Sequence, residues 1–428
     1  MALIGPVAER FAAAGFRLYL VGGVVRDLAL AGADPFDPGG NDIDLTTDAQ
    51  PLDIKRLLSP MAEAVWSQGE RFGTIGAQIN GQAVEITTHR AEAYDPGSRK
   101  PLVRFGKDLG EDLSRRDFTI NAMAVEVPDL ALHDPYGGMT DLADRRLRTP
   151  LSPEESFNDD PLRMMRAARF LTRFELTPDP VVVEAAVALA DRLDIVSAER
   201  ITDELERLLA VEDPASGLRF LVETGLLARI LPAYGPDGPA ADAVSAVPAL
   251  AAVATDTKRP EDRVLIRRTG LLWPIRSEAA DQLRRLRHSK ADSTLTLGLL
   301  NATAVATTLA DRADDRARAA AVRRIVARIG VARLEPLARV VVAVATTDPT
   351  VERSSAMVLA ATVDRLRANE DLGDLEAPLS GAEIIAELGI EPGPEVGRLS
   401  RLLRERRLND GPFDRDQAVE LLHSWRGD

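Results

Sequence analysis

The run GNDIDLTTD carries two aspartates, Asp42 and Asp44, two positions apart among apolar residues. In an extended strand alternate side chains share a face, so both carboxylates leave the same side. Two like charges so placed repel unless a cation lies between them. Their hard oxygens suit Mg2+, which takes few protein carboxylates and completes its shell with water and phosphate oxygens. The same pair also reads as a polar turn entering a strand. Glu85, in the strand-like run AVEITT, supplies a third carboxylate if that run pairs beside the first.

A second candidate lies upstream in YLVGGVVRDLALAG, residues 19–32, where an apolar run breaks at Gly22 and Gly23 and restarts as an amphipathic stretch. Residues without side chains let the backbone approach a triphosphate, and the following helix would offer unpaired N–H groups and a positive dipole. Arg26 adds a fork of donors one turn later. The spacing is neither the G-x-G-x-x-G of dinucleotide folds nor the G-x-x-x-x-G-K of P-loops, which counts against hydride transfer and Walker-type hydrolysis. A phosphate cradle followed 20 residues later by paired carboxylates fits nucleotidyl transfer with two metal ions, one acidifying the attacking hydroxyl and one holding the leaving pyrophosphate.

These residues need elements to hold them. Residues 1–150 alternate strand-like runs (FRLYLV, DIDLTT, TIGAQI, AVEITT, NAMAVEV) with glycine-rich turns and helical stretches, the pattern of an α/β or α+β domain. From residue 154 the apolar period becomes that of helices almost to the end. The stretch 233–260, rich in Ala, Pro, Gly and Asp, reads as a linker, and SGAEIIAELG carries a capping box, Ser380 with Glu383, and a stop at Gly389. A chain of 428 residues has room for roughly three domains. With 45% hydrophobic and 4% aromatic residues, its core is built largely from Ala, Leu and Val.

There are no cysteines, which excludes disulfides, thiolate metal sites and a catalytic thiol. The N-terminal run meets Glu9 and Arg10 early, and no apolar run of about 18 residues occurs, so the expectation is a soluble, cytoplasmic protein with no membrane partner. The net charge of −14 argues against indiscriminate binding of polyanions. Basic clusters nevertheless stand at 263–268, 284–290, 316–328 and 398–407. Each reads as a solvated helix face or as one wall of a nucleic-acid groove.

Two further stretches, EDLSRRDFTINAMAVEV (111–127) and NDDPLRMMRAARFLTRF (158–174), complete a series with LVGGVVRD, DIDLTTD, HDPYGGMTDL and ERITDELERLL. In this order the series resembles the motifs of bacterial class II CCA-adding tRNA nucleotidyltransferases and the related poly(A) polymerases, over residues 16–232 and again, more faintly, at GPEVGRLSRLL. The resemblance implies a polymerase-beta-like α+β head (1–150) followed by an all-α neck (151–232), body (233–335) and tail (336–428). It also implies addition of CMP and AMP from CTP and ATP to the 3′ end of tRNA, with Mg2+ as cofactor and the acceptor arm held by the helical part. Addition of CC only, A only or a poly(A) tail belongs to the same family, and a relative that binds RNA without catalysis is the alternative of another class. A sugar-nucleotide or antibiotic nucleotidyltransferase would use the same head without the arginine-rich helices.

Carried onto these positions, the resemblance gives Asp42 and Asp44 to the metal, Gly23 and Arg26 to the triphosphate, and Arg116 and Asp117 to the ribose. A donor guanidinium beside an acceptor carboxylate satisfies a 2′-hydroxyl, although this pair also reads as a surface ion pair. Asp160 and Arg163 would read the incoming base. Cytosine and adenine both present an amino donor beside a ring-nitrogen acceptor, whereas uracil and guanine reverse that pattern and leave a charge unpaired, at a cost of about 2 kcal/mol or more. Arg166 and Arg169 follow at helical spacing, where they would extend the contact to ribose or phosphate. Asp160 before Pro161 is equally a helix N-cap. Asp159 stands where the family commonly has Glu. The stretch 90–107 resembles the family's mobile loop, kept by CCA-adding and CC-adding members. The phosphohydrolase module of many relatives needs several His and Asp ligands. With His89, His133, His288 and His423 scattered, only a degenerate helical remnant of it is expected, and His133–Asp134 is assigned no ligand role.

Overall fold

The alternation of apolar and polar residues in the first 150 positions builds one mixed sheet, and the helical period that follows builds bundles. A computed structural model describes residues 4–32, 43–93, 102–238, 247 and 259–426. The chain forms two compact units, 1–196 and 197–428.

In the first unit the strands are β1 Leu18–Val21, β2 Ile43–Thr47, β3 Ala64–Trp66, β4 Thr74–Ile79, β5 Gln82–Thr88, β6 Arg90–Ala93, β7 Leu102–Phe105, β8 Ala124–Val127 and β9 Leu132–His133. Seven of them form a sheet in the order β3-β4-β5-β2-β1-β8-β9, while β6 and β7 pair with each other. Within the sheet β2 and β5 run parallel and every other neighbouring pair is antiparallel. Leu18, Leu20, Ile43, Leu45, Ile75, Ala77, Val84 and Ile86 face one way, as the two-residue period requires. Helices α1 Ile4–Ala13 and α3 Pro51–Leu58 cover that face with Ile4, Val7, Ala8 and Phe11 and with Ile54, Leu57 and Leu58. Between them in sequence α2, Gly23–Ala31, leaves the end of β1. The opposite face holds a smaller apolar cluster of Tyr19, Val21, Leu113, Ala122 and Ala124, and the strands beyond it present both polar residues, Asp44 and Glu85 among them, and Trp66.

The rest of the unit consists of α4 Leu109–Ser114, α5 Gly138–Ala143, α6 Pro153–Asp159, α7 Leu162–Arg173 and α8 Pro180–Ala188, with short strands β10 Arg146–Leu147 and β11 Thr177–Pro178 in parallel pairing. The expected run NAMAVEV is strand only from Ala124; Thr119–Asn121 is instead a 3-10 turn, because the Asn121 side chain is bound on both sides by charged groups. The ends of the expected loop 90–107 form the hairpin β6–β7, whereas 94–101 lie outside the described residues. Most of the expected linker, 239–246 and 248–258, also lies outside them.

In the second unit all regular elements of the described residues are helical. The capping box forms as expected: Ser380 Oγ accepts from Glu383 N, Ser380 N donates to Glu383 Oε2 at 2.9 Å, and Gly389 closes the helix in the left-handed region at φ 58°. The basic clusters divide in a way that neither expectation foresaw. Arg284 and Arg316 are well exposed, but Arg267, Arg268, Arg323 and Arg407 are buried. Arg267 donates to the carbonyls of Leu209, Val211 and Glu212, closing the end of helix Ala198–Ala210. Arg323 and Arg407 clasp Glu370, whose side chain is 2% exposed, at 2.8 and 2.6 Å. This triad joins helices Asp315–Ile329 and Pro394–Asp410 to the end of Ser355–Asn369. Among the described residues no helix is long and apolar enough to cross a membrane.

Removing one member of a buried ion cluster strands the others without a counter-charge. Glu370→Ala should therefore lower the unfolding free energy of the second unit by about 3–5 kcal/mol, read as a shift in the urea midpoint. A change below about 1 kcal/mol would mean that water replaces the carboxylate.

Candidate active site

The parallel pairing of β2 with β5 sets Asp44 directly beside Glu85, and the two side chains leave the same face of the sheet, opposite the large apolar core. Asp44 is exposed and Glu85 partly so. Asp42 lies outside the described residues. On the other side of β2, β1 pairs Leu20 with Leu45, so the antiparallel register carries Val21 level with Asp44 and the chain turns at Gly22. Gly22 has φ 70° and ψ −133°, a conformation open to glycine. A Cβ there would stand 3.0 Å from Arg116 Nη1, a tight approach that adds to the backbone strain any side chain would meet at this positive φ. Gly23 begins α2, whose first N–H groups look out from this corner. The diglycine turn and the carboxylate strands thus meet at one end of the sheet.

Arg26 does not point into solvent. It is buried, with Nε on Asp27 Oδ1 at 2.9 Å and Nη1 donating to Asn121 Oδ1 at 2.5 Å. Its guanidinium lies 4.2 Å from the Phe174 ring centroid and 5.6 Å from that of Phe170. Burial pulls its pKa below the usual arginine value, with Asp27 pulling the other way.

Asn121 passes the chain of contacts on: its Nδ2 donates to Asp117 Oδ1 at 2.9 Å, and Arg166 grips Asp117 Oδ2 through Nε at 2.8 Å and Nη2 at 2.6 Å. Asp117 is 8% exposed. Burial by itself would raise its pKa, but Arg166 and Asn121 together hold the carboxyl below the usual carboxylate range. Its neighbour Arg116 reaches Asp112 at 3.2 Å. The pair Arg116–Asp117 is accordingly no surface ion pair; each member has its own partner, and both stand next to the corner.

Asp160 and Arg163 open α7. Asp160 Oδ1 accepts from Leu162 N at 3.2 Å, the capping role that its place before Pro161 suggests. Arg163 Nη1 donates to Ser156 Oγ at 2.8 Å and Nη2 to the Arg115 carbonyl, so the guanidinium is oriented by both the preceding helix and the RRD turn. Asp159 lies 4.0 Å from Arg115. Arg166 is turned onto Asp117, and Arg169 is 7% exposed with its guanidinium 4.4 Å from the Phe170 ring. The structure thus gathers Gly22, Gly23, Arg26, Arg116, Asp117, Arg163 and Arg166 around one buried network and sets Asp44 and Glu85 on the sheet beside it. The bridge Asn121 and the aromatic pair Phe170 and Phe174 were not foreseen. Their only sequence signal is position: Asn121 lies four residues after Asp117, and both phenylalanines lie on or just after α7.

Asp134 caps α5 by accepting from Gly138 N at 2.6 Å and Met139 N at 2.9 Å, and His133 Nε2 meets Glu126 at 3.1 Å. Among the described residues no three His, Asp or Glu side chains are grouped to hold a metal.

Residues 18–148 match the family described as the poly A polymerase head domain, and 175–236 match the probable RNA and SrmB-binding site of polymerase A. The CCA-adding enzyme of Lacticaseibacillus paracasei is 38% identical over 224 residues, 52% of this chain and 54% of that one. That of Levilactobacillus brevis is 37% identical over 222 residues, 52% and 53% of the two chains. The chain spans about half the length of the curated relatives it matches. The crystal structure of the Bacillus stearothermophilus CCA-adding enzyme in complex with CTP is similar at a TM-score of 0.71 and 25% identity, over 100% of this chain and 97% of that one. The Thermotoga maritima CCA-adding enzyme complexed with tRNA shares the fold at a TM-score of 0.69 and 19% identity, over 99% and 95%. Nucleotidyltransferases of this kind are metal-dependent, and the hard oxygens of Asp44 and Glu85, side by side on the open face, fit such an ion.

Arg166→Ala would leave the Asp117 carboxylate buried with Asn121 as its remaining side-chain partner, and should destabilise the first unit by about 3 kcal/mol in urea unfolding. In the unaltered protein this pairing is complete above the ordinary aspartate value of 3.8 and is lost as the pH falls through the lower folded value. Asp117→Asn should therefore show a shallower loss of stability as the pH falls below the ordinary aspartate value of 3.8; an unchanged slope would remove Asp117 from the acid transition.

Proposed function

We propose that this chain, whose residues 18–148 form a poly A polymerase head domain, adds CMP and AMP from CTP and ATP to the 3′ end of tRNA and releases pyrophosphate. The observation that carries the reading is the placement of Asp44 and Glu85 on neighbouring parallel strands, with the diglycine corner at the adjacent strand end. The choice of product rests on the curated relatives, which are CCA-adding enzymes, and on the neighbour whose structure holds CTP.

In this reading the N–H groups that begin α2 receive the triphosphate, which Gly22 and Gly23 admit to close range, and Arg116 stands at the same corner. Asp44, with Asp42 and Glu85, would hold Mg2+. When bound, that ion supplies the positive charge that acidifies the attacking hydroxyl and offsets the charge on the leaving group. The 3′-oxygen of the RNA forms a bond to the α-phosphorus as the bond to pyrophosphate breaks, and the hydroxyl proton is released. Arg26 and Arg166 act by positioning: one fixes the helix that carries the corner, the other the RRD turn. Arg163, oriented by Ser156 and the Arg115 carbonyl, keeps donors for a base, and Asp160 beside it accepts from the amino group that cytosine and adenine share. Arg169 supports this helix from within. The segments 1–150, 151–232, 233–335 and 336–428 serve as head, neck, body and tail, the helical part receives the acceptor arm, and the setting is the cytoplasm.

Three tRNA transcripts, ending before CCA, after the first C and after both, are incubated with labelled CTP or ATP singly. Stepwise incorporation is expected, and no incorporation into any transcript would overturn the reading. Asp44→Ala should lower the rate by on the order of a thousandfold. Arg163→Ala should admit UTP or GTP, with a loss of about 2 kcal/mol in base discrimination; preserved selectivity would remove Arg163 from base reading.

A further inference from the structure

One row of residues crosses the open face of the sheet. Trp66 of β3 pairs with Gly76 of β4, Gly76 with Glu85 of β5, and Glu85 with Asp44 of β2, so all four positions point the same way. Gly76 is bare where the row needs space: a Cβ there would lie 2.0 Å from Trp66 Nε1, so the indole rests on the strand backbone next to Glu85.

Beside it lies a cavity of about 390 Å3 whose walls include Trp66, Phe72, Thr74, Glu85 and Arg90. Arg90 reaches it along the floor, its Nη2 donating to Thr74 Oγ1 at 3.1 Å. Phe72 is 38% exposed, with the Arg71 guanidinium 4.5 Å from its ring centroid. Aromatic faces interleaved with arginines are the surface that takes a nucleobase by stacking and its phosphate by charge.

The strand order separates this cavity from the triphosphate corner. That corner follows β1, on one side of Asp44, whereas the cavity lies over β3, β4 and β5, on the other. The carboxylates therefore stand between two sites, and the indole lies roughly 10 Å from Asp44 by strand spacing, the reach of one nucleoside.

We infer that the cavity binds the 3′-terminal nucleotide of the RNA being extended, its base against the Trp66 indole and its phosphate on Arg90, so that the 3′-hydroxyl faces Glu85 and Asp44. The inference rests on the polymerase reading above and assigns the second substrate of that same site. Trp66 is here a positioning residue for the acceptor and has no part in choosing the incoming nucleotide.

The test uses the full chain and an RNA minihelix ending in 2-aminopurine, followed by fluorescence, together with steady-state addition of CMP and AMP. Binding should quench the terminal purine. Trp66→Ala should abolish most of the quench and raise the RNA KM about tenfold while leaving the CTP and ATP KM unchanged. Trp66→Phe, which keeps a ring over Gly76, should recover most of both. An RNA with an abasic 3′-terminal nucleotide should bind the unaltered protein about tenfold more weakly and lose nothing further in Trp66→Ala. An unchanged quench and RNA KM in Trp66→Ala, or equal binding of the abasic and intact RNAs, overturns the inference while addition continues. A variant that merely unfolds is recognised because it lowers the apparent kcat on both RNAs with no selective rise in the RNA KM. Failure of the unaltered protein to extend any transcript overturns the polymerase reading itself.

Discussion

A guanidinium taken out of water must be given partners, and the first unit is organised around how Arg26 finds them. Asp27 neutralises it, Asn121 accepts from it, and the rings of Phe170 and Phe174 lie within cation–π range. Asn121 then holds Asp117, and Asp117 holds Arg166. Because each link satisfies the next, α2, the RRD turn and α7 are fixed to one another by a single buried polar chain. The direction in which the diglycine corner opens follows from it, since that corner is the first turn of the helix Arg26 anchors.

The sheet adds a second constraint. Parallel pairing of β2 with β5 inside an otherwise antiparallel sheet sets Asp44 beside Glu85, and the apolar residues that alternate with them are locked into the core. A slip of one residue would bury the carboxylates and expose Leu45 and Ile86, so the hydrophobic face holds the register of the polar one. Around this fixed pair the strand order leaves the corner after β1 on one side and the aromatic edge at β3 and β4 on the other. In the polymerase reading proposed above, a nucleotide donor on one flank of these carboxylates and an RNA acceptor on the other fit that arrangement.

Arginines do different work in the second unit. Arg267 closes a helix end, Arg268 lies between Glu206 and Thr296, and Arg323 and Arg407 share Glu370. Arginine is suited to this because its fork satisfies two or three acceptors at once and never loses its charge. Clusters that look like phosphate-binding faces therefore contribute some of their members to the interior, while others, such as Arg284 and Arg316, stay exposed and pair with Asp281 and Asp410.

Local signals were enough for much of this. The two-residue alternation in DIDLTT and AVEITT determined which side of each strand the acids take, the helical period determined the change of architecture near residue 154, and Ser380, Glu383 and Gly389 determined one helix at both ends. Such features depend on neighbours within a turn or a pleat, and a sequence displays those directly. Only tertiary structure decided that β5 would lie against β2, that Arg26 and Arg166 would turn inward, that Asn121 would bridge them, and that Trp66 would settle on Gly76. Those outcomes turn on which distant groups meet when water is excluded. An arginine reads the same in sequence whether its counter-charge is solvent or a carboxylate 49 residues away.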